Sequence, residues 1–411
     1  MILLKTVVVL ADYGYVNGGS GQVAVASVRG LLDMGLSVIF CFGVGPIDSS
    51  LPINEPRFSV CDLGLYDLLG DPLPLRAFFQ GLWKPQAASK LEKLLDTLDP
   101  STTVVHLHSW VQSLSASVIP RVNSRGFLLV CTLHDYFIIC PNGGLYNFQT
   151  RSICNLYPMS FACMGTHCDV RSYPQKLWRV ARQSIQTCFG GLPHHLRNVI
   201  VVSNFSLDIV QPYFHTGTRF YSISNPIDLK QRPPIDPSKS EDFLFVGRMN
   251  PEKGALFFAQ AAEDIGVQVS FVGKGSEEAT IRNHHFRARL HGWQPRETAL
   301  DYMRTARCLV FPSMLYETQG LAVLEAAALG LPAIVPDGCA ASQAIIDGQT
   351  GLLFKQGDKM DLQNKLLRIK QEPELAGELG RAAYERYWAT PCTLTRHVAE
   401  LARCYQHMLN I

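Results

Sequence analysis

The chain has 411 residues, 47% of them hydrophobic and 18% charged, with a formal net charge of +2. That length exceeds one ordinary core and points to two domains, and the near-neutral balance gives no global case for a nucleic-acid partner. No run reaches about 18 uninterrupted apolar residues, so no membrane-crossing helix is expected.

The opening "MILLKTVVVLADYGY" has a short apolar stretch, interrupted by Asp12 and followed by no small-residue cleavage site. It reads as a first β-strand rather than a signal peptide. Most of the twelve cysteines sit in apolar patterns, as at Cys41, Cys131 and Cys308. Reduced thiols in a cytoplasmic protein are therefore expected.

Along the chain, "TVVVLAD", "LSVIFCFG", "TVVHLHSW", "FLLVCTLHD" and "VIVVSNFS" predict buried parallel strands separated by helices. From Asn225, "NPIDLKQRPPIDPSKSED" is rich in proline and charge and reads as a linker. The alternation then restarts with "FLFVG", "VQVSFVGKG", "ARLHGW", "CLVFPS", "PAIVP" and "GLLF". From Pro373 the chain reads as helices broken near residues 389–391. The fold class is α/β, with two doubly wound units and ligands expected beyond the carboxyl ends of the strands. The expected division is residues 1–224, 225–388 and a C-terminal segment 389–411.

Four places carry candidate chemistry. In "FVGRMNPEKG" a strand ends at Gly247, and Arg248 and Lys253 follow before a helix. Two cations there suit a diphosphate, although loop cations are often merely solvated. Gly18, Gly19 and Gly21 follow the first strand, where glycine lets backbone N–H groups approach an anion; the alternative is a plain turn. Strand ends also carry His106 and His108, then His134 with Asp135. His134 suits a sugar hydroxyl or leaving group, against the ordinary structural role of a lone histidine. Finally, in "YETQGLAVLEAAALGLP" Glu317 lies in a loop and Glu325 about a turn inside an apolar helix closed by Gly330. A carboxylate in such surroundings needs a partner. Glu325 is placed to accept from two ribose hydroxyls, and Glu317 from those of a hexose.

In order, "GRMNPEK", "HGWQP", Glu-x7-Glu and "LGLPAIVPDGCAASQAIIDGQTGLLF", with "GGSGQVAVASVRGL" and "LHDY" in the first half, resemble the retaining GT-B glycosyltransferases. These are often called group 1 or family-four enzymes. The resemblance implies two Rossmann-like domains facing across a cleft, with the nucleotide-sugar donor held mainly by the second and the acceptor by the first. It implies that Gly247, Arg248 and Lys253 bind the donor diphosphate. Glu317, with Thr318, Gln319, Gly320 and Leu321, then meets the sugar and phosphates, Glu325 the ribose, and His134 the donor sugar. Gly18 and Gly19 are implied to lie by the diphosphate or acceptor. No catalytic metal is implied, and the final helix is implied to return to the first domain. Gln319 stands where the family often has an aromatic residue, which bears on the identity of the donor sugar.

Cys140, Cys154, Cys163 and Cys168 lie in a loop-rich insertion over about residues 140–170, with 13, 8 and 4 residues between them. They are a candidate structural clip for zinc or an iron–sulfur cluster, against ordinary packing of small hydrophobes. In "YPQKLWRVARQSIQ", Lys176, Arg179 and Arg182 flank Leu177, Trp178 and Val180. Such a helix suits peripheral contact with an anionic membrane, or packing on its own domain. The function expected is transfer of a hexose from a nucleotide-diphosphate sugar to a glycan or lipid-linked acceptor, in bacterial surface polysaccharide or lipopolysaccharide synthesis. The alternatives are a nucleotide-sugar epimerase of the same fold and a non-catalytic nucleotide-sugar-binding scaffold.

Overall fold

The structure is a computed structural model that describes residues 4–285 and 287–410. The chain divides into two compact units. The first takes the chain up to Gly144, Leu156–Pro226 and the stretch from Thr393; the second takes Leu145–Asn155 and Ile227–Cys392.

In chain order the first unit begins with β1 (Thr6–Tyr13), α1 (Gly19–Asp33), β2 (Ser37–Val44) and β3 (Phe58–Asp62). It continues with α2 (Pro74–Leu82), α3 (Pro85–Leu95), β4 (Thr103–Leu107), α4 (Val118–Ser124) and β5 (Leu128–Leu133). A short hairpin of β6 (Tyr146–Asn147) and β7 (Ser152–Ile153) belongs to the second unit. Then come α5 (Phe161–Gly165), α6 (Tyr173–Cys188), β8 (Asn198–Val201), α7 (Asn204–Val210) and β9 (Arg219–Ser222). The seven strands pair in parallel in the order β3-β2-β1-β4-β5-β8-β9.

The second unit holds β10 (Phe243–Val246), α8 (Ala255–Asp264), β11 (Val269–Val272), α9 (Glu278–His284), β12 (Ala288–Leu290) and α10 (Arg296–Thr305). It is completed by β13 (Cys308–Val310), α11 (Leu321–Leu329), β14 (Ala333–Pro336), β15 (Leu352–Phe354), α12 (Lys359–Gln371) and α13 (Pro373–Ala389). Its sheet is also parallel, in the order β12-β11-β10-β13-β14-β15. The last helix, α14 (Leu394–Leu409), lies in the first unit.

Both sheets therefore reverse their order beside the first strand of the unit, and ligands of such sheets sit at that reversal. The strands read from the sequence are all present. β3 and β9 were not legible because they are edge strands, and their side chains are mostly exposed or partly so. A strand lacking two buried faces loses the continuous apolar signal.

This division differs from the expected one in that the second unit runs to Cys392 and includes Leu145–Asn155, while the final helix joins the first unit as expected. In the first unit Val7, Val9, Val38 and Phe40 pack with Leu401, Tyr405 and Met408, so α14 completes this core. Burying each such side chain is worth roughly 1.5–3 kcal/mol. His106, expected as a site candidate, is fully buried here: its Nδ1 meets Tyr405 Oη at 2.6 Å and its Nε2 meets Thr132 Oγ1 at 2.7 Å. Both ring nitrogens are satisfied, so His106 ties α14 to the sheet. The second unit runs past residue 388, to Cys392, whose carbonyl accepts from Ile227 N at 2.7 Å. Its outlying segment, the β6–β7 hairpin, brings Arg151 Nη1 to 3.4 Å from Glu277 Oε1.

Candidate active site

In the second unit the loops after β10 and β13 are joined by their backbones. Met314 N donates to Glu252 O at 2.9 Å, and Ser313 Oγ donates to the same carbonyl at 3.4 Å. Gly254 has φ of 71°, and a Cβ there would stand 2.0 Å from Pro312 O. Only glycine allows that approach at that backbone angle. The closure places Lys253 Nζ 2.6 Å from Glu317 Oε1, which also accepts from Ser313 Oγ at 2.7 Å. Both partners are largely buried, with side-chain exposures of 22% and 13%. A cation and a carboxylate assigned separately to the donor thus hold each other before any ligand arrives.

Arg248 is different. Its side chain is 71% exposed and its guanidinium lies 3.7 Å from Glu252 Oε1. Gly247 ends β10, with its N–H on Val272 O at 3.0 Å. Thr318, Gln319 and Gly320 lead into α11; Gln319 is buried, Gly320 is the N-cap and Leu321 the first helical residue. Glu325, one turn in, has a partner that sequence reading missed. Arg296, at the start of α10, donates from Nε to Glu325 Oε1 at 3.0 Å, with Nη2 2.8 Å from the same oxygen. Arg296 Nη1 donates in turn to Asp228 O at 3.1 Å. Burial raises the Glu325 carboxyl above the usual carboxylate range, and Arg296 opposes the rise. Arg296 is 29 positions away in the chain, so no local spacing reveals the pair.

In the first unit, Gly18 has φ of 85° and caps α1. A Cβ added at Gly18 or Gly19 would meet nothing within 4 Å, so open space lies above this turn. Asp12, at the end of β1 and buried, accepts from the backbone N–H groups of Gln112, Ser113 and Leu114 at 3.1, 2.7 and 3.0 Å. It fixes the loop after β4. His108 Nδ1 lies 3.1 Å from His134 Nε2, with the rings stacked. Burial pushes the His134 imidazole down to about 3, with His397 adding to the effect. Burial also lifts Asp135 to about 6, against a hydrogen bond from Phe137 N. A neutral His134 is a hydrogen-bonding group, not a cation.

The cysteines face a charge of the protein's own. Lys176 is fully buried, with Nζ 3.2 Å from Cys168 Sγ and 3.6 Å from Cys163 Sγ; Asn142 Nδ2 also donates to Cys168 Sγ at 3.1 Å. The nearby sulfurs of Cys168, Cys163 and Cys140 raise the lysine against the opposing effect of burial. Cys154 belongs to the second unit. Among the described residues, no three His, Cys, Asp or Glu side chains are arranged to hold a metal ion. On the same helix, Val180 and Arg182 are buried and Arg179 Nε lies 2.7 Å from the buried Asp169 Oδ2. Of the two readings of α6, the burial of Lys176, Val180 and Arg182 matches packing on its own domain. No helix among the described residues is long and apolar enough to cross a membrane.

Two parallel Rossmann-like units, each with its polar residues gathered beyond the strand ends, define the GT-B architecture. Solved structures agree: sucrose-phosphate synthase from Thermosynechococcus elongatus superposes with a TM-score of 0.72 at 20% identity, covering 99% of both chains. Anabaena HepE in complex with UDP gives 0.66 at 15% identity, covering 98% of this chain and all of that one. The chain belongs to the glycosyltransferases: the Glycosyltransferase Family 4 model matches residues 17–231 and the "Glycosyl transferases group 1" model residues 227–386. Curated relatives include the D-rhamnosyltransferase WbpZ of Pseudomonas aeruginosa, 31% identical over 156 residues, 35% of this chain and 40% of that protein. Glycogen synthase of Mycobacterium tuberculosis is 30% identical over 184 residues, 41% of this chain and 44% of that one. The chain thus matches about two fifths of the length of these relatives.

Three outcomes follow from this geometry. Glu325→Ala leaves Arg296 partly buried without its carboxylate, so it should lower stability by about 1–2 kcal/mol in chemical denaturation. It should also weaken nucleotide-sugar binding, and unchanged donor affinity would remove Glu325 from the ribose site. Gly19→Ala has room for its methyl, so thermal melting should be unchanged while turnover falls roughly tenfold if a ligand approaches this turn. Full activity would mean that no ligand does. An imidazole held below its ordinary 6.5 contributes stability above that pH, lost as acidification proceeds towards 3. NMR of His134 should accordingly show a neutral ring from pH 8 down to 5, and a midpoint near 6.5 would contradict its enclosure.

Proposed function

We propose that this chain is a retaining hexosyltransferase, moving a hexose from a nucleoside-diphosphate sugar to a glycan or lipid-linked acceptor in the assembly of a bacterial surface polysaccharide or lipopolysaccharide. The observation that carries the reading is the Lys253–Glu317 pair between the loops after β10 and β13, with exposed Arg248 beside it. As the glycosidic C–O bond breaks, negative charge collects on the departing diphosphate. Lys253, already fixed at a strand end, stabilises that charge with little reorganisation, and Arg248 adds a second cation from the exposed loop. Glu317 holds Lys253 in place and offers a carboxylate to sugar hydroxyls, while Glu325, steadied by Arg296, receives the ribose hydroxyls. In this scheme the protein's own cations serve where other transferases use a metal ion.

Three kinds of relative support it. WbpZ is named a rhamnosyltransferase and the mycobacterial relative a glycogen synthase. HepE structures hold UDP, UDP with glucose, or UDP-glucose. Retention is supported by the motif order along residues 243–358.

The test is a panel of UDP-, GDP- and ADP-sugars. Slow hydrolysis of one donor, insensitive to EDTA and with the anomeric configuration kept by NMR, is the expected result. Epimer formation would point to an epimerase, and binding without turnover to a scaffold. Lys253→Met should cut kcat by about a hundredfold or more with the circular dichroism spectrum unchanged. A loss below threefold would refute its role at the leaving group.

A further inference from the structure

The cations of α6 turn inward towards a cavity rather than into the core alone. Between α2 and α6 lies a space of about 450 Å³ lined by Phe78, Phe137, Trp178, Arg171, Arg179 and Arg182, among others. Its volume is in the range of small-molecule sites. No acidic side chain is among the described residues that line it.

Arg182 is the telling residue, being only 7% exposed. A guanidinium carries five N–H donors; one, Nη2, reaches Pro141 O at 3.3 Å. Its charge feels the carboxylates of Asp135, Asp12 and Asp169 at longer range, and its guanidinium lies over the rings of Phe137 and Trp178, 5.1 and 5.3 Å from their centroids. Stacked faces leave the in-plane donors of an arginine directed at whatever lies beyond, and a phosphate or carboxylate is the matching partner. Arg179 is already paired with Asp169, whereas Arg171 is exposed at the rim.

The other wall is apolar and continues outward. Trp178 Nε1 donates to Phe78 O at 3.1 Å, and a Cβ on Gly81 would stand 2.6 Å from the Trp178 ring, so α2 lies tightly against α6. On the outer side of α2 and the turn before it, Leu69, Leu75, Phe78 and Phe79 are 73, 78, 48 and 65% exposed. A contiguous apolar surface of this kind on a soluble fold marks a binding surface. A buried cation pocket that opens onto an apolar ledge has the polarity profile of an amphiphile with an anionic head.

We propose that this cavity binds a single phosphorylated long-chain lipid, its phosphate on Arg182 and Arg171 and its chain along Leu69, Leu75 and Phe78. The assignment rests on the transferase reading above, to which it adds the chemical class of the acceptor: a lipid phosphate or diphosphate carrying the sugar to be extended. Phe137, in the wall, lies two residues after Asp135 and three after His134, so the cavity adjoins the end of β5, where this unit keeps its neutral histidine.

The probe is dodecyl phosphate below its micellar concentration, with Trp178 fluorescence and calorimetry as readouts, and dodecanol, inorganic phosphate and phosphatidylglycerol vesicles as controls. Dodecyl phosphate should bind at least tenfold more tightly than dodecanol and a hundredfold more tightly than inorganic phosphate. Arg171→Gln and Phe78→Ser, both at exposed positions, should each weaken it about tenfold. Arg182→Gln should abolish it, with circular dichroism checking the fold. Equal affinity for dodecanol, or unaltered binding by all three variants, overturns the proposal. So does retention on vesicles without binding of the monomeric amphiphile, which marks a membrane-facing surface instead. Donor hydrolysis on the same wild-type sample separates the two claims. Turnover without amphiphile binding removes the acceptor class alone, and amphiphile binding without turnover removes the transferase.

Discussion

Parallel pairing around a reversal of strand order governs both halves of this molecule. In each unit the first strand is flanked by later strands on both sides, β2 and β4 around β1, β11 and β13 around β10. Crossover helices on one side of that point leave by one face, and those on the other side by the opposite face. Their connecting loops therefore part at the carboxyl end of the sheet and leave a crevice. The polar groups with a candidate role in the reaction, His134, Arg248, Lys253, Glu317 and Glu325, stand on such loops or on the helix that follows. The interior strands can then be almost wholly apolar, since no function is asked of them.

A second constraint is compensation of charge away from water. Lys253 with Glu317, Arg296 with Glu325 and Arg179 with Asp169 are paired at 2.6–2.8 Å. Lys176 has the sulfurs of Cys168 and Cys163 at 3.2 and 3.6 Å, and Arg182 has the Pro141 carbonyl and two ring faces. Pairs of this kind add little net stability compared with apolar packing, but they fix side chains in one orientation. For the diphosphate site proposed above, that orientation is the useful product. Beside Arg182, which no carboxylate pairs directly among the described residues, the structure also has a cavity.

Much of this was legible along the chain. The alternation of apolar strands and helices, the linker after Asn225 and the break before α14 are all local patterns. They survive in the structure because strands buried on both faces must be apolar throughout. The loop positions of Arg248, Lys253 and Glu317 were legible for the same reason, since motif spacing reports distance from a strand end. His106, which the sequence only placed at a strand end beside His108, is satisfied in the core by Tyr405 and Thr132. The spacing of the cysteine-rich insertion left a clip and ordinary packing both open, and it says nothing of the lysine ammonium that α6 places beside Cys163 and Cys168. The basic pattern of α6 allowed an outward face or packing on its own domain, and Lys176 and Arg182 are among its most buried residues.

The sequence by itself determined the class of fold, the family and the roster of candidate site residues, because these depend on periodicity and on short spacings that a chain carries openly. Only the tertiary structure decided who pairs with whom. Glu325 takes Arg296 from another helix, Lys253 takes Glu317 across two loops, and the cations of α6 turn inward towards sulfur, Asp169 and a cavity. Such pairings join residues tens of positions apart, and their energies depend on burial and distance, which come into being only when the chain has closed on itself.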